Sequence, residues 1–199
     1  LSQVQHVVTN RTTLPILSNV LIEAVGNQLR LTTTDLDVGV MGSVEANVEK
    51  EGATTLPVKR LASIVRELPA ETIEVSVDAK NHASIKCGPS FFKIIGLGDD
   101  EFPPLPTFDE SKEFKIPQQT LLDALKKTSY AISTDETRYV LNGIFVQFKE
   151  GKMSLVATDG RRLAMVEHDL EFPASNECDV IIPSKAVNEL QRLLSNEGD

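Results

Sequence analysis

The sequence predicts an α+β fold in which one unit of antiparallel strands and helices occurs twice. Three observations lead there. Short runs rich in β-branched and aromatic residues, bounded by Gly, Asn and Asp, alternate with segments of helical period. The order of these elements repeats, and some residues repeat with it. A stretch carrying Pro103, Pro104 and Pro106 separates the two copies. Prolines that dense continue neither a helix nor a central strand.

Leu1, Val4, Val7 and Val8 have helical spacing, so residues 1–9 read as the end of an amphipathic helix. Residues 10–13 are a polar break. Strands are expected at 19–25, 28–33, 38–48 and 54–58, with turns at Gly26-Asn27 and Asp35. Residues 59–68 form a helix with Leu61, Ile64, Val65 and Leu68 on one face and Lys59, Arg60, Arg66 and Glu67 mostly off it. Pro69 stops it. Three more strands are expected at 73–78, 83–87 and 91–97.

The prolines then set the boundary, giving domains 1–108 and 109–199. In the second, 114–117 reads as a short strand. Residues 118–130 read as a helix with Leu121, Leu122, Leu125 and Thr128 inward and Lys126 and Lys127 outward. Strands follow at 140–149, 153–158, 162–170 and 179–183. Asp159-Gly160 suits a two-residue hairpin turn. Beyond it, alternation places Arg161, Leu163 and Met165 on one face and Arg162, Ala164 and Val166 on the other. Ser184 is a candidate N-cap for a last helix, with Val187, Leu190, Leu193 and Leu194 as its apolar face.

The two copies align through Thr34-Asp35 on Thr158-Asp159, Met41 on Met165, and Leu56-Pro57 on Ile182-Pro183. The first copy continues through three strands, 73–97, that have no counterpart in the second. It also lacks the start of its opening helix. The chain therefore reads as a piece of a repeating architecture, with a natural asymmetric pair as the alternative.

Composition narrows the function. The chain has 199 residues, 41% hydrophobic and 25% charged, as in a soluble globular protein. A net charge of −9 argues against a conventional basic nucleic-acid binder, though not against positive charge confined to one surface. Cys87 and Cys178 stand far apart without a partner motif, which fits a reducing cytoplasm and no disulfide framework. No membrane span or signal peptide is visible. His6, His82 and His168 lack zinc-ligand spacing. Gly96 and Gly98 lack the setting of a nucleotide loop. Asp99, Asp100 and Asp159 are the best candidates for a carboxylate-metal nuclease, but a solvated acidic loop is the simpler reading. No catalytic residue and no cofactor are expected.

Four segments carry a resemblance. Arg138-Tyr-Val-Leu-Asn-Gly and Thr158-Asp-Gly-Arg-Arg-Leu-Ala are similar to motifs of the middle domain of the bacterial DNA sliding clamp family, the beta subunit of DNA polymerase III. Arg11-Thr-Thr-Leu-Pro-Ile-Leu-Ser-Asn and Phe102-Pro-Pro-Leu resemble segments of its first domain. The resemblance implies a clamp fold, with antiparallel sheets outside and helices lining a concave inner face. It implies a first domain and a truncated middle domain, with a third domain absent. It further implies a non-catalytic processivity factor, a homodimeric ring that encircles duplex DNA without reading its sequence.

The family's functional positions transfer one at a time. Arg11, Asp135, Tyr139 and Lys185 fall at DNA-contacting positions. Val140 replaces a frequent second Tyr, and Asp135 stands where some members have Gln, so both departures weaken that contact. Leu141, Thr158, Gly160, Arg161, Arg162 and Leu163 fall beside the cleft that takes short peptides from the polymerase catalytic subunit, the clamp loader and repair proteins. Arg161 replaces a frequent His, and the rest of that cleft comes from residues beyond this sequence. Leu36 and Asp37 replace Gly160 and Arg161 in the first copy, so no second pocket is expected there. Phe92 and Ile94 fall at the ring-closing dimer interface. The alternative is an α+β protein-interaction module unrelated to DNA, in which these residues are solvated charges and ordinary core.

Overall fold

Alternating apolar residues between 19 and 57 fold into an antiparallel sheet. The computed structural model describes residues 1–8, 14–69, 72–106, 113–135 and 137–195. In it, β1 (Asn19–Val25), β2 (Gln28–Thr34), β3 (Gly39–Glu45) and β4 (Gly52–Pro57) lie in the order β3-β2-β1-β4. Helix α1 (Val58–Glu67) follows, burying Val58, Leu61 and Ala62 and leaving Lys59, Arg60 and Arg66 exposed. Strands β5 (Glu74–Val77), β6 (His82–Cys87) and β7 (Ser90–Ile95) make a second antiparallel sheet. Val20, Leu31, Leu56, Leu61, Ala83, Ile85 and Ile94 share one buried cluster, so both sheets and the helix close a single core. Each Val, Leu or Ile side chain among them contributes about 1.5–3 kcal/mol through burial.

The two sheets also meet edge to edge. Thr55 N–H donates to Leu97 O and Leu97 N–H to Thr55 O, both at 3.0 Å. Asn19 donates to Thr55 Oγ1, which donates to Leu97 O. Gly96 permits the approach. A Cβ there would collide with the Thr55 carbonyl oxygen and lie 2.8 Å from that of Asn81.

The second unit repeats the plan. Helix α2 (Gln118–Ser129) precedes β8 (Gly143–Lys149), β9 (Lys152–Thr158), β10 (Leu163–Asp169) and β11 (Cys178–Pro183), in the order β10-β9-β8-β11, and α3 (Ser184–Leu193) follows. Register repeats as well: Asn19 pairs with Pro57 as Gly143 pairs with Pro183, and Thr34 with Gly39 as Thr158 with Leu163. Leu125, Ile144, Val146, Met153, Leu155, Ala164 and Val187 form the core. Contacts gather the chain into Leu1–Pro106 and Thr107–Asp199. No helix among the described residues is long and apolar enough to cross a membrane.

Several expectations are corrected. Residues 1–8 bury Val4, Val7 and Val8 as expected but form turns with one helical bond, Gln5 N–H to Leu1 O. So short a segment does not sustain a helix by itself. Residues 114–117 join no sheet. Phe114 instead stacks on Phe148 at 3.8 Å and meets Phe172 edge-on. The strand expected from 140 begins at Gly143, after a 3₁₀ turn over Tyr139–Leu141. Ser184 is the first residue of α3, not its cap. Its N–H donates to Asn142 O, and Pro183 takes the cap position. The strand expected to run to residue 97 ends at Ile95, because Gly96 turns the chain toward β4.

Candidate functional site

The turn between β9 and β10 is built by its own side chains. Thr158 pairs with Leu163, so four residues separate the strands, and the two-residue hairpin expected at Asp159-Gly160 is overturned. The reason lies in two short polar residues that bond to nearby backbone. Thr158 Oγ1 accepts from Gly160 N–H and donates to Arg162 O at 2.7 Å. Asp159 Oδ1 accepts from the N–H groups of Arg161 (2.9 Å) and Arg162 (3.0 Å). Gly160 takes φ +87°.

The turn between β2 and β3 repeats these four side-chain-to-backbone bonds. Thr34 Oγ1 accepts from Leu36 N–H and donates to Val38 O. Asp35 Oδ1 accepts from Asp37 and Val38 N–H. The recurrence of Thr-Asp in the sequence reflects this shared scaffold. What differs is what each turn displays: Leu36 and Asp37 in one, Gly160 and Arg161 in the other.

Two residues outside the expected set hold the second turn in place. Arg162 donates from Nε to Asp159 Oδ2 at 3.1 Å, and its guanidinium lies 5.6 Å from the centroid of the Tyr130 ring. Tyr130 ends α2. Arg138 pairs with Asp135 at 3.3 Å and sends Nη1 to within 3.5 Å of where a Gly160 side chain would start. Thus the 133–142 loop and the 158–163 turn are neighbours. The only sequence signal for Tyr130 is its place at a helix end.

The 133–142 loop is ordered by Asp135. Its Oδ1 accepts from the Thr137 hydroxyl at 2.6 Å and from Thr137 N–H, while its carbonyl accepts from Asn142 Nδ2. The Thr137 hydroxyl first, then the Thr137 N–H and the neighbouring Arg138 charge, hold the Asp135 carboxyl below its ordinary 3.8. Backbone N–H groups of Arg161 and Arg162 do the same for Asp159, with Arg162's side chain adding to it. Tyr139 projects from this loop with 80% of its surface exposed, and Val140 beside it is 51% exposed.

The remaining expected residues separate clearly. Leu141 is half-buried, and Leu163 is 62% exposed beside exposed Met165, while Ala164 is buried. Leu141, Thr158, Gly160, Arg161, Arg162 and Leu163 all belong to the loop and turn just described. Asp135 and Tyr139 share that loop. Lys185 is exposed in the first turn of α3. Arg11 lies outside the described residues. On β7, Phe92 is 37% exposed, but Ile94 is 1% exposed and packs in the core of the first unit. The Ile94 side chain is therefore spoken for within its own unit, and the exposed apolar side chains of β7 are Phe91, Phe92 and Ile95. Among the described residues, no three His, Cys, Asp or Glu side chains gather as a metal site requires.

Comparison with known proteins agrees in both halves. The chain matches the DNA polymerase III beta subunit N-terminal domain over residues 1–106 and the central domain over 115–199. It is 37% identical over 197 residues to a beta sliding clamp of Chlamydia muridarum, covering 99% of this chain and 54% of that protein. The crystal structure of a DNA polymerase sliding clamp from Bacillus subtilis matches with a TM-score of 0.95 at 30% identity, covering 100% of this chain and 54% of that one. A sliding clamp from Bartonella birtlesii, bound to griselimycin, matches with a TM-score of 0.91 at 43% identity and the same coverage. The chain spans about half the length of these relatives.

Proposed function

The chain belongs to the DNA polymerase III beta subunit family, and from that premise we propose that it forms part of a sliding clamp. On this reading it contributes to a non-catalytic processivity factor working in the cytoplasm. The assembled clamp is a homodimeric ring that holds duplex DNA by enclosure and tethers the polymerase catalytic subunit, the clamp loader and repair proteins through short peptides.

Sequence-independent retention needs phosphate contact and no base readout. Exposed Lys59, Arg60 and Arg66 on α1, Lys126 and Lys127 on α2, and Lys185 on α3 suit that task. Tyr139 adds an exposed ring on a loop that Asp135 shapes. Arg11 serves as a further phosphate contact. Weak, exposed contacts allow sliding, and the chain's net charge of −9 discourages DNA from adhering elsewhere. Phe92, half-exposed on β7, contributes to ring closure, while Ile94 packs in the core of its own unit.

The observation that carries the docking part is the turn displaying Gly160, Arg161 and exposed Leu163 next to the loop that carries Leu141. An apolar peptide side chain can rest against Leu141 and Leu163 while polar backbone edges fix its direction.

The test is retention on DNA. The product of the complete reading frame, loaded on closed circular DNA by a clamp loader, should co-elute with the circle in gel filtration. It should be lost when the circle is cut. Equal retention on circular and linear DNA would replace enclosure with conventional binding, and no retention on either would favour an interaction module unrelated to DNA.

A further inference from the structure

Residues 102–105 lie on the face of the first sheet that turns away from its core. Val20, Leu31 and Leu56 are buried on the core side. Alternation aims Leu21 the other way. A separate small cluster forms there: Phe102 is buried with Ile16 and Leu17, and Leu21 packs against them. Leu105 ends beside Gly39, where an added Cβ would come 2.5 Å from Leu105 Cδ2. Antiparallel sheets commonly leave such a face to water. Here Phe-Pro-Pro-Leu straps it.

The strap has the chemistry of a ligand. Proline fixes φ at about −65° and pushes the residue before it into extended backbone. A backbone of that kind turns about once every three residues, so positions 102 and 105 share a side. Both side chains do meet the sheet. Preformed proline-rich segments lose little entropy on docking, and they recur as ligands of apolar grooves. The strap is also tethered at close range: Phe102 N–H donates to Asp99 O, and Leu97 is fixed to Thr55.

The second unit presents the same place differently. Register puts Leu141 where Leu17 stands and Leu163 where Gly39 stands. Both units lead in with a 3₁₀ turn, Pro15–Ser18 in one and Tyr139–Leu141 in the other. Ile16 is 6% exposed, whereas its counterpart Val140 is 51% exposed. In the first unit the chain covers this apolar face with its own side chains.

We propose that the first unit holds a groove for a peptide segment of the form aromatic-x-x-leucine, kept shut by residues 102–105 as a built-in occupant. A tethered occupant competes at an effective concentration on the order of millimolar, so an outside segment enters only when the strap is weakened. This groove is independent of docking at the second unit.

The probe is a fluorescein-labelled peptide of residues 99–106. It is titrated into the product of the complete reading frame, its Phe102→Ala and Leu105→Ala variants, and the double variant. Circular dichroism checks folding, and leucine methyl NMR locates the bound peptide. The native protein should bind weakly. The double variant should bind roughly tenfold more tightly, with shifts at the Leu17 and Leu21 methyls. A peptide with its Phe and Leu replaced by Ala should lose that gain. Leu105→Ala is the gentler opening, because it removes a half-buried side chain, and it should show part of the gain by itself. Folded variants that bind no more tightly than the native protein, or shifts confined to Leu141 and Leu163, would overturn the groove. If neither single variant folds, the strap is core rather than occupant, and the groove falls with it.

Discussion

Leu36 and Gly160 occupy the same place in two turns built on the same side-chain-to-backbone hydrogen bonds, at φ +79° and +87°. Glycine adopts this conformation freely, whereas an L side chain pays about 1–2 kcal/mol. Leu36 is 61% exposed, so burial returns little to it. Leu36→Gly should stabilise the protein by about 0.5 kcal/mol, since the added freedom of glycine in the unfolded chain cancels part of the gain. Gly160→Leu should destabilise it by about 1 kcal/mol. Urea midpoints of the two variants, moving in opposite directions, check this.

Asp159 ties down the amides of Arg161 and Arg162. Asp159→Ala should speed hydrogen exchange at both amides while leaving those of the β8–β9 ladder unchanged. If both amides stayed as protected as before, the turn would owe its shape to something other than this carboxylate.

Acid should loosen the same turn. The Asp159 carboxyl is held below its ordinary 3.8, first by the Arg161 N–H and then by that of Arg162; the Asp135 carboxyl is held down first by the Thr137 hydroxyl. The folded values lie below the unfolded ones, so their stabilising contribution is complete above about 3.8. It disappears as pH falls through the lowered folded values. Carboxyl carbon shifts followed by NMR should show both groups titrating later on acidification than a free aspartate. A midpoint at or above 3.8 for either would contradict the hydrogen bonding described.

Arg162 over Tyr130 joins the turn to the end of α2. At an exposed site such a contact is worth about 0.5–1 kcal/mol. A double-mutant cycle with Tyr130→Leu and Arg162→Met should return a coupling of that size. Strict additivity would mean that the ring and the guanidinium are neighbours without attraction.

Gly96 lets β7 reach β4. Gly96→Ala would drive a methyl into the Thr55 carbonyl and against Leu56, so the rung between Thr55 and Leu97 must open. Overpacking of this kind costs about 1–3 kcal/mol. A lower thermal midpoint, with faster exchange at the Leu97 amide, is the expected result.

The strands and helices were legible wherever one period dominated. Leu125 and Val187 lie in the core, as their helical spacing required. The repeat was legible because Thr-Asp recurs where a turn needs both side chains. Legibility failed where side chains redirect the backbone. Asp135 and Arg138 wind residues 139–141 into a 3₁₀ turn ahead of β8, and the Thr158 and Asp159 side chains open a four-residue loop where Asp-Gly suggested two. Tyr130 could not be found from spacing, since its meeting with Arg162 joins elements far apart in sequence. Nor does alternation distinguish Phe92 from Ile94 on one face of β7. The difference in their exposure depends on which part of that face the core covers.

Strands β3 and β10 each end their sheet, paired on one side only among the described residues. Met41 and Val44 on one, and Leu163 and Met165 on the other, are substantially exposed. An open row of backbone donors and acceptors flanked by apolar side chains is a template for lateral strand addition. In concentrated solution this chain should therefore lose monomer to sticky, sheet-rich assemblies, and lysine in place of Met41 and Met165 should restore solubility without disturbing either core.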